Sequence, residues 1–212
     1  MKYNSYRYIY PPRPRNPISS DELNFWDNKS LIAQPKLNGS NCVIFMDGTR
    51  NMVMNRHNQR LTNFELPQSE LNALYKCNPG ELMVINGEYL NKSKQDERGV
   101  TFNHKLVIFD ILVFKSDYLV GSTFSDRITL LDELYGTKDS EKPYLYSVSD
   151  NVYRVKSFET GFKQIFDDLT KIDMVEGLVL KRKSAKLEIG NTENNNTKSQ
   201  LKARKATKMY KY

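Results

Sequence analysis

The chain has 212 residues, of which 39% are hydrophobic and 27% are charged. These values suit one globular domain and exclude a disordered chain, and no apolar run reaches the length of a membrane span. Two cysteines and no cysteine–histidine cluster exclude a disulfide framework and a zinc site. We expect a cytoplasmic protein, because the N-terminus lacks the features of a signal peptide. The net charge of +7 favours a polyanionic partner.

The first predicted feature is residues 1–20, an extended strap that contains the proline-rich stretch "YPPRPRNP". Apolar runs bounded by polar or turn residues then predict five strands: Cys42–Met46, Asn51–Asn55, Leu82–Asn86, Leu106–Val113 and Gly177–Lys181. Leu106–Val113 is apolar apart from Asp110, so we expect a central strand that is covered on both faces.

Helical periodicity predicts three helices: Pro67–Lys76, Ser125–Tyr135 and Phe158–Ile172. Ser125 and Ser157 are the predicted N-caps of the second and third helices. The polar stretch 191–198, "NTENNNTK", predicts a loop. The whole pattern predicts a strand-rich α+β domain over residues 1–212, with helices packed against sheets.

Lys36 stands directly before Leu-Asn-Gly in "QPKLNGSN", where Asn38-Gly39 predicts a tight turn with positive φ. Alone, this pattern is that of a solvated turn lysine. Several other charged residues also edge or interrupt apolar strands, and a buried charge is costly unless it is paired. In chain order they are Arg56, Glu88, Asp110, Glu176 and Lys202.

Basic residues concentrate towards the end of the chain, in Lys181–Lys186 and Lys202–Tyr212. A disordered, solubilising tail is one interpretation. The other is a nucleic-acid contact, which is favoured by the apolar and aromatic residues among the cations, Leu201, Met209, Tyr210 and Tyr212.

Six short motifs follow one another in a fixed order: "KLNG" at Lys36, "MNRH" at Arg56, "INGEYL" at Glu88, "VIFDIL" at Phe109, "VEGLVLK" at Glu176 and "QLKARK" at Lys202. In this order, over residues 34–205, the chain resembles the covalent nucleotidyltransferases, which include ATP-dependent DNA and RNA ligases and mRNA capping enzymes. The resemblance implies an ATP-grasp-like adenylation domain of antiparallel sheets flanked by helices.

The resemblance also implies the chemistry of the site. Lys36 would attack the α-phosphate of ATP and form a covalent lysyl-AMP, with Lys202 and a second cation, Arg204 or Lys205, neutralising the phosphate. Glu176 would be the carboxylate nearest to Mg²⁺ or Mn²⁺, and Glu88 would contact the ribose or the ligand shell of that metal. Phe109 would stack on adenine, Gln34-Pro35 would read its edge and Arg56 would meet the ribose or a 5′-phosphate. The implied nucleotide-binding residues are Gln34, Pro35, Asn38, Gly39, Arg56, Glu88, Phe109, Glu176, Lys181 and Lys202.

Two departures narrow the resemblance. Asn38 stands where DNA ligases and capping enzymes usually carry Asp, and no residues remain after the last motif for a C-terminal OB-fold domain. "KLNGSN" resembles the form found in phage-type RNA ligases, so a monomeric, phage- or virus-encoded RNA ligase is the favoured expectation. A minimal DNA ligase is the nearest alternative. A nucleic-acid-binding module with only self-adenylation, or with no catalysis, is the alternative of another class.

Overall fold

The computed structural model describes residues 5–91 and 94–206. The apolar and aromatic residues at the end of the basic tail, Met209, Tyr210 and Tyr212, lie outside the described residues. Residues 1–4 of the predicted strap also lie outside them. Among the described residues, no helix is both long and apolar enough to cross a bilayer.

Within these two ranges the chain forms eleven strands and four α-helices. The strands are β1 (Arg13–Ile18), β2 (Leu31–Leu37), β3 (Ser40–Met46), β4 (Asn51–Asn55), β5 (Met83–Leu90), β6 (Lys105–Phe114), β7 (Asp117–Tyr118), β8 (Leu145–Ser147), β9 (Val152–Val155), β10 (Val175–Arg182) and β11 (Asn196–Arg204). The helices are α1 (Leu23–Trp26), α2 (Gln68–Leu74), α3 (Phe124–Tyr135) and α4 (Phe162–Leu169).

The strands form two sheets. Sheet A has the order β1-β11-β10-β2, and sheet B has the order β4-β3-β5-β6-β9-β8, with β7 on β6. The architecture is α+β, which confirms the predicted fold class. The prediction of antiparallel sheets is correct for most neighbours, but β1 pairs with β11, and β6 with β9, in parallel. No OB-fold domain occurs among the described residues.

The predicted central strand is β6, whose residues contribute to three apolar clusters. Its one buried charge, Asp110, is paired: Nε and Nη2 of Arg127 in α3 donate to the carboxylate at 2.7 and 3.1 Å. Such a bidentate pair compensates the burial of both groups. This pair fixes α3 on sheet B.

The proline-rich segment is more ordered than a surface strap, because Arg13–Ile18 forms a strand at the edge of sheet A. Prolines are tolerated there, since an edge strand leaves alternate N–H groups without a ladder partner. The residues before β1 cross to sheet B, where Tyr6 and Tyr8 pack against Phe45. The N-terminal segment therefore connects the two sheets. The end of the predicted loop 191–198 is also a strand, because β11 begins at Asn196.

Two predicted helix starts are wrong. The N-cap of α3 is Thr123, which forms a capping box with Asp126, and not Ser125. The last helix begins at Phe162, after Gly161, and ends at Leu169. Its first N–H groups donate to a carboxylate from far along the chain, Asp27 Oδ2, at 2.7 and 3.2 Å. Phe158 instead bridges to Ala33 of β2.

Candidate active site

A cavity of about 510 Å³ opens between the two sheets. Sheet A contributes residues from β2, β10 and β11, sheet B contributes residues from β3 to β6, and the N-terminal segment adds residues 11–14. Its volume is within the range of small-molecule sites. The predicted site residues that line it are Gln34, Pro35, Lys36, Gly39, Arg56, Glu88, Phe109, Glu176, Lys181, Lys202 and Arg204.

Lys36 and Glu176 form an ion pair inside this cavity. Lys36 lies in β2 opposite Gly177 of β10, and the register shifts between Val175 and Gly177. Glu176 is the extra residue of this bulge. A bulge re-aims a side chain that regular alternation would direct to the other face, and here it brings the carboxylate to the amine.

Gly177 allows β10 and β11 to approach closely at this point. It has φ +151°, and a Cβ there would overlap the carbonyl oxygen of Ala203. A residue with a side chain would therefore push the two strands apart. The close approach of β10 and β11 is therefore the structural reason for a glycine directly after Glu176.

Gly39 and Glu88 connect the lysine strand to sheet B. The backbone N–H of Gly39 donates to Glu88 Oε1 at 3.2 Å. The predicted positive φ at this turn is wrong for the glycine: Gly39 is needed because a Cβ would lie 2.6 Å from the carbonyl oxygen of Tyr89. Asn38 does not line the cavity, and its N–H donates to Met174 O at 2.9 Å.

The pKa of Glu88 is raised to about 7, chiefly because the carboxyl is removed from water. The neighbouring charge of Glu176 raises it further, while Lys36, the Gly39 N–H and Arg56 act in the opposite direction. Both carboxylates line the cavity, close enough for the charge of one to act on the other.

Gln34 is buried, and only one end of its amide is satisfied. Nε2 donates to Ser157 Oγ at 3.0 Å. Among the described residues no group donates to Oε1, which is buried in the same cavity. A buried acceptor without a partner is costly, and such an atom in a cavity is suited to a ligand that can donate.

Phe109 and Lys181 lie together at one end of the cavity. The ammonium of Lys181 lies 4.8 Å from the ring centre of Phe109 and 4.6 Å from that of Phe124. Burial lowers the pKa of Lys181 to about 8, and Arg127 adds to this effect while Asp110 opposes it. An aromatic face and a buried donor thus stand side by side.

Lys202 and Arg204 project from alternate positions of β11 into the cavity. Burial lowers the pKa of Lys202, as do the nearby charges of Arg204, Arg13 and Lys36. Arg204 Nε lies 3.6 Å from Glu176 Oε2. Lys205 points elsewhere: its Nζ donates to the carbonyls of Thr170 and Ile172, just after α4, at 3.2 and 3.0 Å.

The mouth of the cavity contains residues that the motifs did not indicate. Residues 11–14 form one wall, and the guanidinium of Arg13 donates to Glu193 O at 3.2 Å. Burial and the neighbouring charge of Arg56 lower the pKa of Arg13. Arg56 donates from Nε to His57 Nε2 at 3.1 Å. A proline-rich sequence carries no signal for this position, since it depends on the long-range pairing of β1 with β11.

The cavity thus contains a lysine amine, two carboxylates and several cationic side chains. An apolar recess lies next to these groups. No cluster of three or more histidine, cysteine or acidic side chains occurs within residues 5–91 and 94–206. The carboxylates of Glu88 and Glu176 are nevertheless donors of the type that Mg²⁺ prefers, and Mg²⁺ commonly takes its remaining ligands from water and phosphate. A nucleoside triphosphate therefore suits the cavity.

Comparison with solved structures shows the same fold. A mycobacterial DNA ligase D complexed with ATP and MES has a TM-score of 0.62 at 15% identity, over 96% of this chain and 62% of that one. The ligase domain of M. tuberculosis LigD gives 0.65 at 16%, over 96% and 61%. An archaeal ATP-dependent RNA ligase gives 0.50 at 16%, over 92% and 48%. The chain thus spans about three fifths of the two mycobacterial chains.

A comparison with curated protein sequences finds no match. The family model for the ATP-dependent DNA ligase domain matches residues 16–200, which is most of the chain. The matched span contains all the cavity residues of sheet B and, in sheet A, Lys36 and Glu176. The chain therefore belongs to the ATP-dependent DNA ligase domain family, within the covalent nucleotidyltransferase superfamily.

Proposed function

We propose that this chain is an ATP-dependent polynucleotide ligase that works through a covalent lysyl-AMP on Lys36. The observation that carries the proposal is the ion pair of Lys36 and Glu176 inside a cavity that also contains Lys202 and Arg204. In the first step a bond forms between Nζ and the α-phosphorus of ATP, and the bond from that phosphorus to pyrophosphate breaks.

The amine of Lys36 must lose a proton before it can attack. Glu176 accepts a hydrogen bond from that amine, so a base lies within reach of the proton. Lys202 and Arg204 would neutralise the charge on the α-phosphate oxygens and on the departing pyrophosphate. In this scheme Glu176 both aims the nucleophile and takes up its proton.

The adenine of ATP would occupy the recess at Phe109. Its ring would stack on the aromatic face, and its exocyclic amine would donate to Gln34 Oε1, the buried acceptor that lacks a donor among the described residues. Lys181 supplies a buried donor for a ring nitrogen.

Glu88 and Glu176 are the residues that would hold a magnesium or manganese ion. The ion would offset the negative charge of the phosphates and of pyrophosphate as it leaves. Glu88 has a further task in this chain: it fixes the turn after Lys36 through the Gly39 N–H.

The later steps transfer AMP to a 5′-phosphate and join that end to a 3′-hydroxyl with release of AMP. Arg56 and Arg13, at the mouth of the cavity, are suited to the 5′-phosphate because guanidinium groups bind phosphate through paired donors. The family of the chain favours DNA as the polymer. RNA, which the "KLNGSN" stretch favours, is the second candidate.

The covalent step is tested with ATP labelled in its α-phosphate. Protein is first treated with pyrophosphate to remove any AMP already bound, then incubated with labelled ATP and Mg²⁺ and run on a denaturing gel. Label on the wild type and none on Lys36→Arg is the expected result. No label on either protein would refute the proposed enzyme and favour a binding module.

The polymer is tested with nicked duplexes whose 3′-hydroxyl strand is DNA or RNA and whose 5′-phosphate strand is DNA or RNA. Sealing of all-DNA nicks with no sealing of RNA would establish the first candidate, and the reverse would establish the second. Adenylated protein that seals none of the four duplexes would contradict strand joining.

A further inference from the structure

A second cavity of about 300 Å³ adjoins the nucleotide cavity. The two share Pro12, Lys181 and Gln200 as lining residues. Its outer lining comes from the end of β10 and the residues after it, and from the start of β11: Arg182, Ala185, Lys186, Glu188, Asn195, Thr197, Lys198 and Ser199. We call this second cavity the annex; the proposed chemistry of ligation does not use it.

The annex is strongly cationic. Arg182, Lys186 and Lys198 lie at its rim with exposed side chains, and none of the three forms an ion pair within the described ranges. Glu188 is the one acidic side chain among the described residues that line it. A concave surface with this balance of charge attracts and retains anions.

Lys181 forms the inner wall of the annex. It is 6% exposed, and its Nζ makes neither a hydrogen bond nor an ion pair with any residue in the described part of the chain. Its contacts are with the faces of Phe109 and Phe124. The nearby Asp110 carboxylate is already paired with Arg127, so a bound anion would stabilise this buried ammonium further.

The annex lies too far from Lys36 to hold the phosphate that this residue attacks. Lys36 pairs with Gly177, and Lys181 lies four residues further along β10. At about 3.3 Å per residue, the separation along the strand is about 13 Å. An anion in the annex is therefore additional to the α-phosphate of ATP.

We propose that the annex binds a backbone phosphate of the polynucleotide substrate, so that the strand is held at a second point away from the reacting end. The inference rests on the proposed function. Lysine and arginine at an open rim are the side chains that contact nucleic-acid phosphates, and they position the strand without reading its bases. Free inorganic phosphate has the same chemistry, so the experiment separates the two sources.

The test uses the double variant Lys186→Ala/Lys198→Ala in the full chain. A matched control, Lys138→Ala/Lys171→Ala, removes the same charge from exposed lysines that line neither cavity. Fluorescence anisotropy measures the binding of labelled nicked DNA and nicked RNA duplexes over a series of KCl concentrations. Label transfer from ATP, with no nucleic acid present, measures self-adenylation of each protein.

We expect the annex variant to lose about tenfold or more in affinity at low salt, and its slope of log K against log salt to fall by about 2. The control variant is expected to bind like the wild type, and both variants are expected to self-adenylate at the wild-type rate. Phosphorus NMR with inorganic phosphate is expected to show weak binding that the labelled duplex displaces.

Equal affinity and salt slope in the annex and control variants would overturn the proposal. Loss of phosphate binding in the annex variant, with unchanged duplex binding, would assign the site to a free anion and would also overturn it. Slower self-adenylation of the annex variant would assign the site to ATP instead. Failure of the proposed function is seen separately, as a wild-type protein that neither takes up AMP nor seals a nick.

Discussion

Lys36 and Glu176 form an ion pair across two neighbouring antiparallel strands, although 140 positions separate them in the sequence. The bulge at Glu176 is what allows this contact, because the residue paired with Lys36 is Gly177. Lys36 is therefore oriented by sheet A, while the turn after it is fixed from sheet B by Glu88.

Lys36→Arg is expected to abolish lysyl-AMP formation while leaving the fold intact. An arginine keeps the positive charge and the pairing with Glu176, but its guanidinium does not deprotonate in proteins and is no nucleophile. Mass spectrometry after incubation with ATP should show at least about a 1000-fold lower rate of adduct formation. Thermal unfolding serves as the control. An adduct at the wild-type rate would place the nucleophile on another residue.

Glu176→Gln is expected to slow self-adenylation by at least about tenfold. The amide keeps the shape of the side chain but removes the charge that pairs with Lys36 and lies near Arg204. Single-turnover rates at saturating ATP report the change. A wild-type rate in this variant would exclude Glu176 from proton transfer and from aiming the amine.

Arg204→Ala and Lys205→Ala are expected to have different effects. Arg204 lines the cavity, so its loss should slow adenylation by about tenfold. The Nζ of Lys205 binds two carbonyls after α4, so its loss should lower the free energy of unfolding by about 0.5–1.5 kcal/mol with little change in rate. Rates and urea unfolding of both variants check this. The opposite pattern would make Lys205 the second cation of the site.

Lys181 is expected to make the stability of the free protein rise with pH. Its pKa in the folded protein is about 8, below the ordinary lysine value of 10.5, so the unfolded chain binds more protons between these two values. Stability should therefore be lowest below about pH 8 and increase above it. Between about pH 7.5 and 9.5 the wild type should gain about 1–2 kcal/mol relative to Lys181→Met in urea unfolding.

Asp110 and Arg127, the charged groups that act on Lys181, form a buried ion pair that the Lys181→Met variant retains. The difference between the two proteins thus isolates the lysine. A constant difference across the range would show that Lys181 titrates like an exposed lysine.

Gly177→Ala is expected to be severely destabilising, by about 3 kcal/mol or more, because the new Cβ would overlap the carbonyl of Ala203. Gly121→Ala is the matched control: it also has positive φ, at +87°, but a Cβ there meets no atom within 4 Å. That substitution should cost about 1 kcal/mol. Similar losses for both variants would mean that strand approach is not what requires Gly177.

The order of the motifs predicts the residues of the cavity better than local sequence patterns predict the bounds of helices and strands. Because charges at the edges of apolar strands are costly, the sequence indicates Lys36, Glu88 and Glu176 as candidate site residues. The structure brings their side chains to one cavity. Their catalytic roles remain predictions. The same motif indicates Asn38, but this residue does not line the cavity, and its backbone N–H donates to Met174 O.

The errors have long-range causes. The start of α4 could not be read locally, because the group that caps its first N–H groups is Asp27, 134 residues before Gly161. The wall of the cavity at Arg13 depends on pairing with β11, which no local pattern in a proline-rich segment indicates. Strands β8 and β9 are too short to show alternation, and they exist because β6 offers them an edge.

The position of β11 in sheet A determines when, during synthesis, the candidate site can be complete. All strands of sheet B lie within residues 40–155, so they leave the ribosome before β11 does. Sheet A cannot assemble until Asn196–Arg204 has emerged, because that strand separates β1 from β10. Because a domain generally folds as a unit, a nascent chain without β11 would have Lys36 in an incomplete sheet A. A chain whose synthesis is incomplete would thus lack a complete site for the proposed reaction with ATP.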